Sequence, residues 1–382
     1  MQANHHRLRI LLAIGIYEPE NGGAAEWVRN YAKWLAQRGH DVRVVCEQLI
    51  GPPPEACKLL TLPTQQHTKN SRRRARALQA LIKTQPADIV HDTGCLLESD
   101  VFHPLMGSLI HNWSRQLRAY PPGLRVRRFW QIRLWRDVRL QLHQQRHHRL
   151  LIACSKRVAA DFARLGQRRA KVILNGIPAL GVPNAEEVRQ LRQGLGVGER
   201  LLVLVTAANL YLKGVMTALR AMTALEANTR KRFLIVVTGH EAEETFARFI
   251  RENGLGEHCR LIGRVENIEN YYHAADIFLH PTYHDAGSLS TLKALAAGKA
   301  VAISSFDGSA EMIEDGVNGL ILKKPGDAKE LAKILRRLLD PDLRERLGIA
   351  ARKLGPIINQ ERQFEQMEQA YFDILREKGS AR

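Results

Sequence analysis

Cysteine pairs are missing from this sequence. Its five cysteines are odd in number and widely spaced, and no Cys-x-x-Cys pair occurs among them. This pattern argues against a disulfide framework or a zinc site, and it fits a reducing cytoplasm. The cysteines are Cys46, Cys57, Cys95, Cys154 and Cys259.

Long apolar runs are also missing. No stretch approaches the roughly 20 residues that span a bilayer. The first apolar stretch, residues 8–16, contains Arg9 and is followed by acidic and glycine-rich sequence without a small-residue cleavage site. We therefore interpret it as a buried first strand rather than a signal peptide, and we predict a cytoplasmic protein.

Acidic residues are scarce relative to basic ones. The chain has 57 Lys and Arg against 39 Asp and Glu, which gives a formal net charge of +18. Such a surface attracts nucleic acid, an anionic membrane or a polyanionic substrate. Residues 115–149 hold ten arginines and a single acid, Asp137. Solvated helix faces would also explain such a run, but the local excess favours a binding surface. A smaller basic cluster consists of Lys69, Arg72, Arg73, Arg74 and Arg76.

The sequence does contain a regular alternation of strand and helix patterns. Residues 8–15 and 41–45 predict strands, and the helix between them ends at Gly39. A strand, a helix and a second strand in this order form a right-handed unit with parallel strands. The apolar face of the helix consists of Trp27, Val28, Tyr31, Trp34 and Leu35.

A second alternating series follows a polar stretch over residues 183–199. It predicts strands at 201–206, 233–238, 260–262, 277–280, 300–303 and 320–322, and a last helix after Pro356. Because 382 residues exceed one ordinary core, we predict an α/β protein of two Rossmann-like, doubly wound domains. They would face a central cleft, with the ligand at the carboxyl ends of the strands. The predicted domains are 1–182, 200–355, and a C-terminal helix, 356–382, that packs back toward the first domain.

Short sequence strings in a fixed order carry a family resemblance. Each string alone is weak, but their order and spacing together are specific for a fold. They are GG at 22–23, AQRGHDV at 36–42, IACS at 152–155, VILNGI at 172–177, KG at 213–214, TG at 238–239, YHAAD at 272–276, HPT at 280–282, DAGSLSTLKAL at 285–295, GSAE at 308–311 and DGVNG at 315–319. The sequence resembles the family 4 glycosyltransferases (glycosyl transferases group 1), which have the GT-B fold. Within them it looks most like the lipopolysaccharide-core and capsule branch.

The resemblance implies a nucleotide-sugar donor held mainly by the second domain. A leaving diphosphate must be stabilised as the glycosidic bond breaks. Lys213 would clamp it, and Asp285 holds the first acidic position of the family's Glu-x7-Glu pattern. We predict Lys213 and Asp285 as the catalytic residues. The predicted donor-binding residues are Gly22, Gly23, Asn209, Lys213, Gly287, Ser288, Leu289, Lys293 and Glu311.

These residues also have purely structural explanations. Gly22 and Gly23 would let the backbone approach the phosphates, or they would form a simple turn between strand and helix. Ser288 would open a helix that points at the diphosphate, or act as an ordinary N-cap. Glu311 would lie near the nucleotide, or only favour the helix dipole. Lys213 would otherwise be a solvated loop lysine.

Three departures from the family pattern fall at this site. Lys293 stands at the second carboxylate of Glu-x7-Glu, which in the family binds the ribose hydroxyls, and an ammonium accepts no hydrogen bond. Tyr211 or Leu212 stands where an arginine usually partners the clamp lysine. Leu105 falls at the place of a histidine near the reacting sugar, with His103 two residues earlier. Together these changes indicate altered donor recognition or lost turnover.

The resemblance supports two hypotheses about function. The leading one is a retaining glycosyltransferase that moves a sugar from a nucleotide-sugar donor to a lipid-linked or polysaccharide acceptor, such as a lipopolysaccharide core or a similar cell-surface glycan. The alternative is a catalytically inactive glycosyltransferase-like protein that acts as a binding or scaffold partner at the membrane. The resemblance implies no metal and no cofactor besides the donor substrate, and no Asp-x-Asp pair follows a predicted strand.

The arginine-rich segment predicts peripheral contact with the anionic surface of the inner membrane. Aromatic and leucine side chains would enter the interface while arginines face the headgroups. Alternatively, Trp130, Leu134 and Val138 are core positions of a helix, because they are spaced at i, i+4 and i+8. Nucleic-acid binding is disfavoured, since the segment matches no nucleic-acid fold signature. The predicted acceptor or membrane contacts are Arg127, Arg128, Trp130 and Arg133.

Overall fold

The structure is a computed structural model that describes residues 7–20, 23–55, 57–68, 70–130, 132–167, 169–239 and 243–380. Residue contacts divide the chain into two compact units. The first unit comprises Met1–His111, Arg127–Leu174 and Gln363–Arg382, and the second comprises Asn112–Val126 and Asn175–Arg362. Among the helices described, none has both the length and the apolar character that a membrane crossing requires.

The first unit is built on a parallel sheet. Its strands are β1 (Arg9–Tyr17), β2 (Asp41–Leu49), β3 (Lys58–Thr61), β4 (Ile89–Asp92), β5 (Ser99–Phe102), β6 (His148–Ala153) and β7 (Ala170–Val172). They lie in the order β3-β2-β1-β4-β5-β6-β7, which reverses direction between β1 and β4. Ile10 in β1 pairs with Val42 on one side and with Ile89 on the other. This is the doubly wound topology of nucleotide-binding folds.

Among the described residues, the first half of the chain forms six α-helices. They are α1 (Gly23–Gln37), α2 (Ser71–Lys83), α3 (Leu109–Ala119), α4 (Pro122–Phe129), α5 (Ile132–Gln144) and α6 (Lys156–Arg164), with a short 3₁₀ turn at Thr64–Gln66. The Asn70 side chain caps α2 by accepting the Arg73 N–H at 3.2 Å. Ser155 caps α6 in the same way at Val158, at 3.2 Å. Such caps satisfy N–H groups that have no partner within the helix.

The second unit repeats the architecture. Its strands are β8 (Leu201–Ala207), β9 (Phe233–Gly239), β10 (Cys259–Gly263), β11 (Ile277–His280), β12 (Ala300–Ser304) and β13 (Leu320–Leu322). All are parallel, in the order β10-β9-β8-β11-β12-β13, and the order reverses between β8 and β11. Ligands of such sheets bind outside the carboxyl ends of the strands at this reversal point.

Helices also flank the second sheet. They are α7 (Ala185–Gly194), α8 (Val215–Thr223), α9 (Ala227–Arg230), α10 (Glu244–Glu252), α11 (Ile268–Ala274), α12 (Leu289–Ala296), α13 (Ala328–Arg337) and α14 (Pro341–Arg352), with a 3₁₀ helix at Gly308–Met312. The polar stretch over 183–199 contains helix α7. Its Asn184 N-cap accepts the N–H groups of Glu186 and Glu187, which explains why so polar a segment is helical.

One segment belongs to a different unit from the one in which the sequence analysis placed it. Residues 112–126 belong to the second unit, whereas we predicted a single domain over 1–182. Tyr120 is responsible, because its ring packs on that of Tyr211 with centroids 4.6 Å apart. Its hydroxyl also accepts a 2.8 Å hydrogen bond from Asn209 Nδ2.

The last helix, α15 (Gln360–Ser380), groups with the first unit from Gln363 onward. Phe364, Met367 and Tyr371 lie in the hydrophobic core of that unit. The Glu368 carboxylate accepts a 2.9 Å hydrogen bond from Arg38 Nε and lies 2.8 Å from His40 Nε2. Apolar packing and a partly buried ion pair thus hold α15 against the first unit.

Candidate functional site

The candidate site lies at the reversal point of the second sheet, on the loop between β8 and α8. Asn209 shapes this loop, because its Oδ1 accepts the Leu212 N–H at 2.9 Å. Gly214 ends it with a φ of +71°, and a Cβ there would lie 2.0 Å from the Pro281 carbonyl oxygen. Only glycine fits this position. The backbone of the loop thus fixes the position from which the Lys213 side chain extends.

Lys213 forms an ion pair with Asp285, which follows β11. The Lys213 ammonium contacts Asp285 Oδ2 directly, and the side chains are only 19% and 17% exposed. His280, the last residue of β11, places its Nε2 3.1 Å from the same Asp285 oxygen. The structure therefore brings together the two residues predicted as catalytic, and it adds a buried histidine.

The Asp285 carboxylate is ionised at neutral pH. Burial by itself raises the pKa of this carboxyl, but the Lys213 charge and the His280 ring outweigh burial and hold the pKa well below its ordinary value. A carboxylate that stays charged in this way does not serve as a proton donor near pH 7. Asp285 instead positions the Lys213 ammonium.

A second buried carboxylate, Asp307, joins the loop after β12 to helix α12. It accepts the N–H groups of Ser288 and Ser309 at 3.2 and 2.8 Å, and the Thr291 hydroxyl at 2.8 Å. Burial, followed by the charge of Asp285, raises the pKa of Asp307. Sequence reasoning missed both Asp307 and His280. The signal for Asp307 was its place directly before the GSAE string.

The start of α12 faces the same region of the unit. Ser288 is its N-cap, and its Oγ accepts the Thr291 N–H at 3.2 Å. Asn175 Nδ2 donates to the Gly287 carbonyl at 2.8 Å, which fixes the approach to the helix. The next N–H groups, those of Leu289 and Ser290, are in the first turn and have no acceptor within the helix. N–H groups in this position are a common binding site for anions.

Lys293 lies about one turn further along α12. Its side chain is half-buried, and within the described part of the chain it has no carboxylate at ion-pair distance. Its position one turn from the helix start places an ammonium where the resemblance implies a carboxylate.

The position expected for a second clamp cation is apolar and buried. Tyr211 is 5% exposed and Leu212 is 8% exposed. The Tyr211 ring packs between Tyr120 and Phe246, with centroids 4.6 and 4.8 Å away. Whether Tyr211 or Leu212 occupies the position of the missing arginine, the side chain there is apolar and buried in the second unit.

The remaining predicted donor residues are distributed more widely. Glu311 is exposed in the 3₁₀ helix at Gly308–Met312. Gly23 is the exposed first residue of α1, and Gly22 lies outside the described residues.

In the first unit, His103, which lies two residues before Leu105, is fully buried. His103 Nδ1 lies 3.3 Å from His91 Nε2, and His91 Nδ1 lies 2.6 Å from the Tyr371 hydroxyl. Burial lowers the pKa of His103 to about 3. Leu105 packs against the core of this unit. These contacts make His103 part of the packing under α15.

The arginine-rich segment presents exposed aromatic rings. Phe129, Trp130 and Trp135 are 43%, 73% and 39% exposed, and the Phe129 ring contacts both tryptophans edge-on. Val138 is buried, whereas Trp130 is not a core residue. The side chains of Arg127, Arg128, Arg133 and Leu134 lie outside the described part of the chain.

Two parallel doubly wound units, with a lysine at the reversal point of the second, fit the architecture of the GT-B glycosyltransferases. The family models agree: residues 187–354 match "Glycosyl transferases group 1", and residues 21–179 match "Glycosyltransferase Family 4". This chain belongs to family 4 of the GT-B glycosyltransferases.

Individual relatives point the same way. The lipopolysaccharide glucosyltransferase WaaG of Escherichia coli K12 is 25% identical over 334 residues, which cover 85% of this chain and 87% of WaaG. The crystal structure of a WaaG superimposes with a TM-score of 0.78 at 23% identity, covering 95% of this chain and 99% of that one. The Anabaena protein HepE, solved in complex with UDP and glucose, gives a TM-score of 0.73 at 20% identity, over 96% of this chain and 100% of HepE.

Proposed function

We propose that this protein transfers a sugar, with retention of anomeric configuration, from a nucleotide-sugar donor to a lipid-linked or polysaccharide acceptor of a cell-surface glycan. The observation that carries the proposal is Lys213, held by Asp285 at the reversal point of the second sheet beside the start of α12. A relative that acts on lipopolysaccharide and a structural neighbour that binds UDP and glucose support the substrate classes.

The residues at this point are suited to stabilise a leaving diphosphate. As the bond between the anomeric carbon and the diphosphate oxygen breaks, negative charge grows on that oxygen. The Lys213 ammonium and the N–H groups of Leu289 and Ser290 would offset this charge. The acceptor oxygen bonds to the anomeric carbon on the same face, and its proton passes to a diphosphate oxygen. This route needs no protein base.

The Lys213 ammonium is paired with the Asp285 carboxylate. A bound diphosphate carries more negative charge than one carboxylate. The Lys213 ammonium would therefore contact both the diphosphate and Asp285. Asp285 would then limit how far Lys213 moves. We therefore assign Asp285 the role of positioning the lysine during transfer.

The exposed aromatic cluster supports a peripheral location at an anionic inner-membrane surface. Phe129, Trp130 and Trp135 present rings to solvent within the most arginine-rich part of the sequence. Aromatic rings among cationic side chains suit the interface of an anionic bilayer. A lipid-linked acceptor would be reached at that surface.

Titration calorimetry with UDP and UDP-glucose tests the donor assignment. We expect Lys213→Ala to weaken UDP binding by about tenfold or more, because it removes a charge-assisted contact to phosphate. Lys329→Ala removes an exposed lysine of α13 in the same unit and serves as the matched control. The proposal fails if no nucleotide sugar binds, or if both variants bind UDP equally well.

An assay of sugar hydrolysis and sugar transfer, run beside the calorimetry, decides the catalytically inactive alternative. Two observations favour it: Lys293 stands where ribose hydroxyls need an acceptor, and the second clamp position is occupied by the core residues Tyr211 and Leu212. A protein that binds UDP-glucose through Lys213 but neither hydrolyses nor transfers the sugar would establish it. Turnover with any acceptor would exclude it.

A further inference from the structure

A basic cavity in the first unit has no role in the donor site. It has a volume of about 350 Å³ and lies where α2 packs near α5. This volume is within the range of small-molecule pockets in proteins. Its lining is Asn70, Arg72, Leu97, Arg136, Arg139, Leu140 and His143. Three of these seven residues are arginines.

The arginines converge because of helical spacing. Arg136, Arg139 and His143 lie at i, i+3 and i+7 on α5, so they share one face of the helix. Arg72 stands in the first turn of α2 and contributes the facing charge. Arg72 is close enough to act on His143, whose pKa is lowered by burial first and then by His147 and Arg72, against an opposing effect of the Glu98 carboxylate. Leu140 is buried and forms an apolar side of the cavity.

The charges of these arginines are not neutralised by ion pairs among the described residues. In the part of the chain that the structure describes, Arg72, Arg136 and Arg139 make no ion pair, whereas the neighbouring Arg74 is paired with Glu47 at 3.3 Å. The nearby Glu98 carboxylate is 3.0 Å from Lys83. Glu98 also acts on His143, and Asp137 of α5 adds one further negative charge beside the three arginines. Guanidinium groups left unpaired around one concave space are suited to a multivalent anion.

We infer that this cavity binds a phosphate group, held between Arg72 of α2 and Arg136 and Arg139 of α5. A phosphate offers several acceptor oxygens to the planar guanidinium forks, and the cavity leaves room for the group that carries it. The phosphate would belong either to a soluble phosphorylated compound or to a lipid headgroup. The site is separate from the donor site in sequence and unit, so the inference does not rest on the proposed transferase activity.

Glycerol 3-phosphate and vesicles are the two probes of this inference. Calorimetry measures glycerol 3-phosphate binding to the full chain, and flotation measures binding to phosphatidylcholine vesicles with and without phosphatidic acid. The test variant is Arg136→Gln/Arg139→Gln, with Arg72→Gln as a second. The control is Arg73→Gln/Arg76→Gln, which removes two exposed charges from α2 that do not line the cavity. Circular dichroism and urea unfolding check that every variant is folded.

We expect the cavity variants to lose at least about tenfold in affinity for one probe, and the control to stay within about twofold of the wild type. Loss for glycerol 3-phosphate assigns a soluble phosphate. Loss restricted to phosphatidic acid vesicles assigns a lipid headgroup. Equal loss in the cavity and control variants would show only diffuse surface charge and overturn the inference. So would a wild-type chain that binds neither probe.

Discussion

At the scale of single residues, the donor site depends on a glycine as well as on its lysine. Gly214 follows Lys213 and adopts a left-handed conformation, with φ at +71°. An added Cβ would lie 2.0 Å from the Pro281 carbonyl oxygen. Gly254 has a similar φ of +61°, but a Cβ there meets no atom within 4 Å. Alanine substitutions at these two glycines therefore separate the loss of stability caused by backbone strain from the loss caused by a steric clash.

We predict that Gly214→Ala destabilises the second unit by about 3 kcal/mol or more, because strain and clash act together. Gly254→Ala should cost only about 1 kcal/mol, from strain alone. Urea unfolding followed by fluorescence measures both, and UDP titration should show impaired binding for Gly214→Ala alone. Equal destabilisation of the two variants would contradict the proposed close approach to Pro281.

Sequence motifs identified some of these residues and missed others. Lys213 and Asp285 stand in recognisable strings, and the structure brings them into contact although they are 72 positions apart. His280 and Asp307 were missed because their importance comes from burial and from partners on other loops. Tyr120 was missed for the same reason. No local pattern reveals that residue 120 packs on residue 211.

At the scale of elements, buried parallel strands were the most predictable feature. The predicted strands at 277–280 and 320–322 coincide with β11 and β13, and the others in the second half differ by one or two residues at their ends. Strands buried on both faces are continuous apolar runs, so their positions are visible in the sequence. The short β3 and β5 lack such runs, and β5 begins with the polar residues Ser99 and Asp100.

The contact between α15 and the first sheet has a predictable response to pH. His91 and His103 are fully buried beneath α15, and His91 contacts the Tyr371 hydroxyl. Burial lowers the pKa of His103 to about 3 and also lowers that of His91, with the neighbouring His103 adding to the effect. In the unfolded chain a histidine takes up a proton near pH 6.5. The unfolded state therefore binds more protons between about pH 6.5 and pH 3, and stability falls as the pH falls through this range.

We predict that His103→Gln reduces the slope of the unfolding free energy against pH by roughly 1 kcal/mol per pH unit between pH 6 and pH 4. Urea midpoints of the first unit across that range measure the slope, which a general loss of stability would not change. His67→Gln replaces a partly exposed histidine of the same unit and is the control. If the unfolding free energy has the same slope against pH in His103→Gln and in the wild type, His103 is not the source of this pH dependence.

At the scale of the whole molecule, charge and exposed aromatic rings indicate the same kind of surface. The chain carries a net charge of +18, and each Lys or Arg close to an anionic membrane contributes roughly 1 kcal/mol of attraction. The aromatic cluster of Phe129, Trp130 and Trp135 adds an apolar contribution that salt does not screen. Sequence composition revealed the charge, but only the structure separates the exposed Trp130 from the buried Val138.

We predict that the protein floats with vesicles containing phosphatidylglycerol and not with pure phosphatidylcholine, and that salt above about 0.5 M releases most of it. Trp130→Ser should weaken vesicle binding by about tenfold, since it removes a large apolar side chain from the interface. Ile349→Ser, at an exposed position of α14 in the other unit, should leave binding unchanged. Equal recovery on anionic and neutral vesicles would remove the electrostatic contribution. An unaffected Trp130→Ser variant would place the membrane contact elsewhere on the basic surface.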